Sequence, residues 1–493
     1  MLKRNLIANY LGQGWRAIMA LAFVPLYVKY LSVEAYGLIG IFAILQAWLG
    51  LLDLGLRPAL LLEMARYTGG AYHVQRIWNL LRSIEIVALA VAVVVVVVVW
   101  SVSQWLATDW VQAGQLSRTT VAQAFTLMGV VAGLQFIESV YTGSLAGLQR
   151  QVLQNVILAI AATLRGLGAV GVLVWVSPTL QAFFIWQALV SVLSMAGFVF
   201  AVYRVLPVPP RPARFTGAAL LDVWRFAAGM TGITLLALLL TQVDKMLLSR
   251  LLPLEMFGYY TLASVVAGGL YMFTTPIAGA FLPRFTELHT RNDAAALTFA
   301  YHLSSQLVTV LMGSAAAVLI VFAERILLLW TADTVLAKEV APLMRVLALG
   351  TLLHGLMWIP YQMQLAYGWT SLAIRTNIIA VSVLVPAILW LVPLYGAMSA
   401  AWIWVALNSA YVLIGVHFMY RRILKTEKWE WYHTDVALPL SAAFVVALLC
   451  KMFFTGKYGR LGELFVMGAS SVLVLCAAGI VAPMVRIKIK SYA

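Results

Sequence analysis

The sequence predicts an all-α polytopic membrane protein of about fourteen transmembrane helices, built as two six-helix lobes related by a parallel internal repeat, with two further helices at the C-terminal end. Three observations predict it. The 493 residues are 63% hydrophobic and only 10% charged, where soluble domains carry roughly 25% charged residues. Apolar stretches of about 20 residues, enough to cross a hydrocarbon core of about 30 Å, recur from Tyr10 almost to the C-terminus. A short motif after the first stretch returns after the seventh at an offset of 221 residues.

Taken in order, the predicted spans are 11–31, 36–60, 83–104, 119–141, 152–176, 180–202, 223–243, 257–280, 302–323, 342–366, 370–392, 396–419, 435–455 and 464–485. The first follows Lys3 and Arg4 as a signal peptide would, but no clean small-residue cleavage site follows, so it reads as a retained helix. The third is uncharged from Val87 to Thr108 and contains an unbroken valine run from Val93 to Val99. A helix tolerates that β-branched run in lipid, because its backbone is satisfied internally and its side chains meet hydrocarbon. Gly and Pro punctuate several spans, as in transporters whose neighbouring helices or pore water accept released backbone groups.

The repeat pairs Leu31-Ser-Val-Glu34-Ala-Tyr-Gly37-Leu with Leu252-Pro-Leu-Glu255-Met-Phe-Gly258-Tyr. A weaker echo pairs Ile185-Trp186 and Leu189 with Ile403-Trp404 and Leu407. An even number of spans between copies makes the repeat parallel, with its axis along the membrane normal. The resulting division is an N-terminal lobe at 1–205, a cytoplasmic linker at 206–222, a C-terminal lobe at 223–420, a cytoplasmic loop at 421–434 and the additional spans at 435–493.

Charge placement orients the chain. With a cytoplasmic N-terminus, twenty of the 33 Lys and Arg residues fall on that side, nine on the other and four inside helices. That asymmetry puts both termini in the cytoplasm. The formal charge of +15 is explained by anionic lipid at helix ends, and no basic-aromatic pattern or nucleic-acid-binding motif points to nucleic acid. Cys450 and Cys476 lie in apolar stretches, so neither a disulfide framework nor a metal site follows from spacing. No nucleotide-binding, metalloprotease or hydrolase motif is present. The external connections are too short to house an acid-rich catalytic region, which weighs against a membrane glycan polymerase or ligase and makes an enzyme the minor reading.

Ionisable residues inside apolar segments are the candidate functional groups, because their cost demands a wet cavity or a partner. Asp53 and Arg57, four apart, share a helical face. They form either an insertable ion pair or a guanidinium held ready for phosphate. Asp244 and Lys245 point about 100° apart, so one can line a cleft while the other snorkels. Arg165 is deep in its span, whereas Arg375 and Arg16 lie near helix ends and form a secondary cationic pair of candidates. Glu85, Glu138 and His354, with Asp244, are the groups that could couple transport to protons or sodium; helix-helix hydrogen bonding explains the same residues without coupling. No cofactor is expected.

Asn5-Leu-Ile-Ala-Asn9 through Pro25-Leu-Tyr27, Tyr36-Gly37 and Leu52-Asp53-Leu54-Gly55-Leu56, with Asp244, Leu247-Leu248 and Phe257-Gly258-Tyr259-Tyr260 in the second half, resemble the polysaccharide transporter, or O-antigen flippase, family. That family belongs to the multidrug/oligosaccharidyl-lipid/polysaccharide exporter superfamily, and the resemblance covers essentially the whole chain. It implies a flippase for undecaprenyl-diphosphate-linked oligosaccharide in the bacterial cytoplasmic membrane, working by alternating access. A glycan polymerase and chain-length regulator would be its partners. It further implies that Arg57, Arg165 and Lys245, with Asp53, meet the substrate. Lipid II or another envelope precursor is the alternative cargo, and a scaffold in a polysaccharide export complex is the noncatalytic alternative.

Overall fold

The computed structural model describes residues 2–50, 56–70, 73–217, 241–454 and 459–490, with 235, 238, 239 and 456 between them. Lipid offers no hydrogen-bond partners, so each spanning segment must close its own backbone bonds. The described residues accordingly form helices, and the sole exception in extended pairing is an isolated parallel bridge between Gln112 and Pro253.

In chain order these are α1 Leu2–Ala22, α2 Val24–Leu31, α3 Val33–Leu49 and α4 Leu56–Thr68, then α5 Val74–Trp110, α6 Arg118–Gly147, α7 Gln151–Trp175 and α8 Leu180–Val205. After a helical stretch at 241–251 come α9 Leu254–Gly268, α10 Tyr271–Thr290, α11 Ala294–Val321 and α12 Ala323–Thr331. The last are α13 Thr334–Ala366, α14 Ser371–Tyr395, α15 Ala397–Tyr420, α16 Lys428–Phe453, α17 Arg460–Val481 and α18 Pro483–Lys490.

Eleven helical segments are long and apolar enough to cross a membrane, and a twelfth results if α9 and α10, bent by 42°, count as one. Eleven or twelve of the expected fourteen are thus found among the described residues. Of the two remaining predicted spans, 36–60 is represented by α3 and α4 on either side of residues 51–55, which lie outside the described residues. The other, 223–243, lies almost wholly outside them.

Local chemistry sets the ends. Ser117, Thr179 and Asp293 each turn a side-chain oxygen onto a backbone N–H of the first turn, capping α6, α8 and α11. Asp333 accepts from Val335 and Leu336 at the start of α13. Along the valine run, Val95 and Val99 are buried while Val93, Val94, Val97 and Val98 are exposed. With Ala88, Ala92 and Ser103 they make a narrow packed stripe on a helix otherwise free to face acyl chains.

Two compact units divide at Gly258 and Tyr259. In the first, α4, α5, α6 and α8 close around Leu60, Met64, Leu81, Ile84, Phe198 and Val202. Glu85 is buried at the edge of this core, accepting from Tyr141 Oη at 2.9 Å, Tyr203 Oη at 3.0 Å and Arg82 at 3.2 Å. The repeated motifs meet here as well. A methyl group on Gly37 would lie 2.6 Å from the Leu254 carbonyl oxygen and 3.3 Å from the Gly258 nitrogen, and one on Gly258 would lie 2.4 Å from the Val33 carbonyl oxygen. Val33 and Leu254, like Gly37 and Gly258, are 221 apart, so the contact is reciprocal between the two motifs. Glu34, buried beside it, accepts the backbone N–H groups of Gly114 and Gln115.

In the second unit α11 packs on α16 and α17 through Ala317, Phe322, Ala443, Ala447, Val474 and Ala478. Alanines at that seam let helix backbones approach, which is where association energy comes from when the solvent is itself apolar.

Candidate anion-binding cavity

Within the first unit a cavity of ≈ 270 Å³ is lined by Gln46, Leu49 and Gly50 of α3 and its C-terminal end, Arg57 of α4, and Ala132, Gln135, Phe136 and Ser139 of α6. Its walls follow from spacing. Gln135 and Ser139 are four apart on α6 and so share a face. Gly143, one turn further, lets Arg57 lie close, since a methyl group there would sit 3.0 Å from both the Arg57 Cγ and its carbonyl oxygen. Gln46 donates to Gln135 across the cavity mouth. Arg16 of α1 is half-buried, donates to the Gly12 carbonyl at 3.2 Å and lies within range of the Arg57 charge. The Arg57 guanidinium beside two neutral amides and a hydroxyl makes a wall with the chemistry to receive an anion.

Arg165 occupies a widened π turn, Leu164–Gly168, inside α7. Such turns displace backbone carbonyls from their usual partners. Here Trp186 Nε1 donates to the Leu164 carbonyl at 2.8 Å, and Gln187 Nε2 and Tyr27 Oη reach the Arg165 carbonyl at 3.3 and 3.5 Å. Phe23 and Trp186 fill the space that side chains at 166 and 168 would need. The guanidinium contacts Glu138 at 3.4 Å and Ser191 at 3.5 Å. Its Nε is buried without a hydrogen-bond partner among the described residues. Glu138 is three residues from Gln135, so this ion pair borders the flank of α6 that bears the cavity.

The other sequence candidates are dispersed. Asp53 lies outside the described residues, so its pairing with Arg57 does too. Asp244 and Lys245 are half-buried in the stretch 241–251 and do not line the cavity; Asp244 Oδ1 is buried with no hydrogen-bond partner among the described residues. Arg375 is exposed on α14. His354 of α13 bonds the Tyr271 hydroxyl through Nδ1 at 2.7 Å and packs against the rings of Trp358 and Trp404. Sequence reasoning missed Gln46, Gln135 and Ser139, whose only signal was three uncharged polar residues inside apolar spans. It also missed a buried His302–Asp435 pair at 2.6 Å in the second unit.

Residues 2–289 match the sequence model of the family described as polysaccharide biosynthesis protein. The chain belongs to that family. Its apolar helices make it a multi-pass membrane protein, and solved structures share its fold. The lipid II flippase MurJ in an inward closed conformation is similar at a TM-score of 0.71 and 11% identity, covering 96% of this chain and 97% of that one. An inward-facing multidrug resistance MATE family transporter is similar at 0.65 and 15% identity, covering 84% of this chain and 96% of that one. The MATE multidrug transporter DinF-BH gives 0.60 and 15% over 85% of this chain and 95% of that one. A search of curated proteins by sequence finds no match.

Proposed function

We propose that this family member is a flippase that moves a polyprenyl-diphosphate-linked envelope glycan across the bacterial cytoplasmic membrane by alternating access. The observation that carries the reading is the cavity wall of Arg57, with Arg16 in range of its charge and Gln46, Gln135 and Ser139 beside them. A diphosphate carries about two negative charges, and taking these through hydrocarbon is prohibitive unless they are paired and hydrated. Cationic and amide donors supply pairing for the headgroup while the polyprenyl chain stays in lipid. Substrate contact is assigned first to Arg57 and Arg16, then to Arg165 if its pair with Glu138 opens; Lys245 and Asp53 complete the set.

Coverage favours a lipid-linked cargo over a drug, and lipid II is the lipid-linked substrate named for a similar structure. The fold shared with the lipid II flippase extends over 96% of the chain, against 84% for the multidrug transporter. Coverage that nearly complete takes in the additional C-terminal helices; fourteen spans with both termini cytoplasmic is the arrangement that the charge asymmetry supports. If the cargo is instead a polysaccharide unit, a glycan polymerase and chain-length regulator are the partners. Among the candidates for proton or sodium coupling, Asp244 stands first because its buried carboxylate oxygen has no hydrogen-bond partner among the described residues.

The test is reconstitution. Proteoliposomes carrying the chain should expose fluorescent lipid II to an external reagent faster than empty vesicles. Arg57→Ala should slow this by about 10- to 100-fold, one charged hydrogen-bonding contact of about 1.5–3 kcal/mol, and Arg57→Lys should recover part of it. Equal rates with and without protein for lipid II and for an undecaprenyl-diphosphate oligosaccharide would end the proposal.

A further inference from the structure

At the start of α16 the chain passes over α11, and three side chains distant in sequence converge. His302 of α11 is buried, and its Nδ1 is 2.6 Å from Asp435 Oδ2. Gln306, one turn along the same helix, donates to the other Asp435 oxygen at 2.8 Å and accepts the Met484 backbone N–H at 2.8 Å. That chain of bonds fixes the amide orientation and makes Asp435 Oδ1 an acceptor; with Asp435 ionised, Nδ1 donates to its Oδ2. The lone pair of a neutral imidazole is thereby left on Nε2.

Nε2 faces not a donor but Glu427 Oε2, at 3.2 Å, and Glu427 Oε1 is held by the Thr426 hydroxyl at 2.8 Å. The third member is Glu430, and one ligand atom from each of the three residues lies within 4.8 Å of the others. The cation adjacent in sequence does not serve this cluster: Lys428 Nζ is 2.8 Å from His417 Nδ1 and stands over the Trp429 ring. An imidazole nitrogen facing two carboxylates is the donor set of a metal ion, the alternative occupant being a proton on Nε2.

We propose that His302, Glu427 and Glu430 form a site for a divalent transition-metal ion of the zinc type. Two ligands on a tetrahedral ion, each about 2.0–2.2 Å from it, are about 3.3–3.5 Å apart, close to the observed Nε2 to Oε2 separation. Imidazole plus carboxylates selects this class over magnesium or calcium, which take oxygen ligands. Asp435 and Gln306 supply the carboxylate–histidine support that orients a metal-binding imidazole. The ion would fasten the connection between α15 and α16 to α11 and so hold the C-terminal helices to the second unit. A proton on Nε2 would bridge His302 and Glu427 alone, leaving Glu430 without a role.

The experiment uses the full chain in detergent, stripped with a chelator and titrated with Co²⁺ as a spectroscopic probe. One equivalent should produce ligand-field bands that Zn²⁺ abolishes. Asp435→Asn should weaken binding by about 10- to 100-fold and His302→Asn should remove it. Glu430→Gln, at an exposed side chain, should weaken binding at least tenfold while the metal-free protein melts as wild type does. Zn²⁺ should raise the Tm of wild type more than that of Glu430→Gln. No bands in the wild type at excess Co²⁺, meaning a protonated His302 only, overturns the proposal; so does Co²⁺ binding by Glu427→Gln and Glu430→Gln indistinguishable from wild type.

Discussion

Arg165 and Glu138 show how one residue's role depends on a neighbour that sequence keeps 27 positions away. Each, considered alone, is an expensive group that must do something in the membrane; together they neutralise one another at 3.4 Å. Glu138→Gln should cost about 2–3 kcal/mol, below the roughly 3–5 typical of a fully buried pair because the arginine side chain is 26% exposed. Replacing both residues by Met should recover much of that loss. Thermal unfolding in detergent reads both variants, and a double variant no more stable than the single one would contradict the pairing. Glu85 is a different case. Two tyrosine hydroxyls and Arg82 already satisfy it, so Tyr203→Phe should leave a carboxylate short of one donor and lower stability by about 1 kcal/mol, read by the same melt.

Among elements, the contact between repeated motifs is the most constrained. Gly37 and Gly258 are needed for close approach rather than for an unusual backbone angle, since the atoms a methyl group would strike are backbone carbonyl oxygens that cannot rotate away. Gly37→Ala and Gly258→Ala should each destabilise by about 1–3 kcal/mol through overpacking. Gly14 of α1, with nothing within 4 Å of an added methyl group, is the control and should gain up to about 1 kcal/mol as alanine. If Gly37→Ala melts no lower than wild type, the reciprocal packing does not constrain the fold. The π turn of α7 is a second element-level feature. Nothing in Thr163-Leu164-Arg165-Gly166 announces it, because it exists only where Trp186, Gln187 and Tyr27 take up the displaced carbonyls.

For the whole molecule, the prediction concerns orientation. Reporter domains fused at either end should be active only on the cytoplasmic side, since twenty Lys and Arg residues fall on that face against nine. Activity of either fusion on the opposite side would reverse the assignment. Sequence alone determined the solvent of this protein and its helical class, because hydrocarbon imposes a single length and a single way of satisfying the backbone. It also exposed the recurrence of one motif at an offset of 221 residues. It selected Arg57 as costly, but could not place Gln46, Gln135 and Ser139 beside it. Neutral polar residues are cheap enough to occur anywhere in a span. Tertiary structure alone brought His302 to Glu427, 125 residues away. No local periodicity encodes such a meeting; helix packing decides which faces share a space, and that is a property of the assembled bundle.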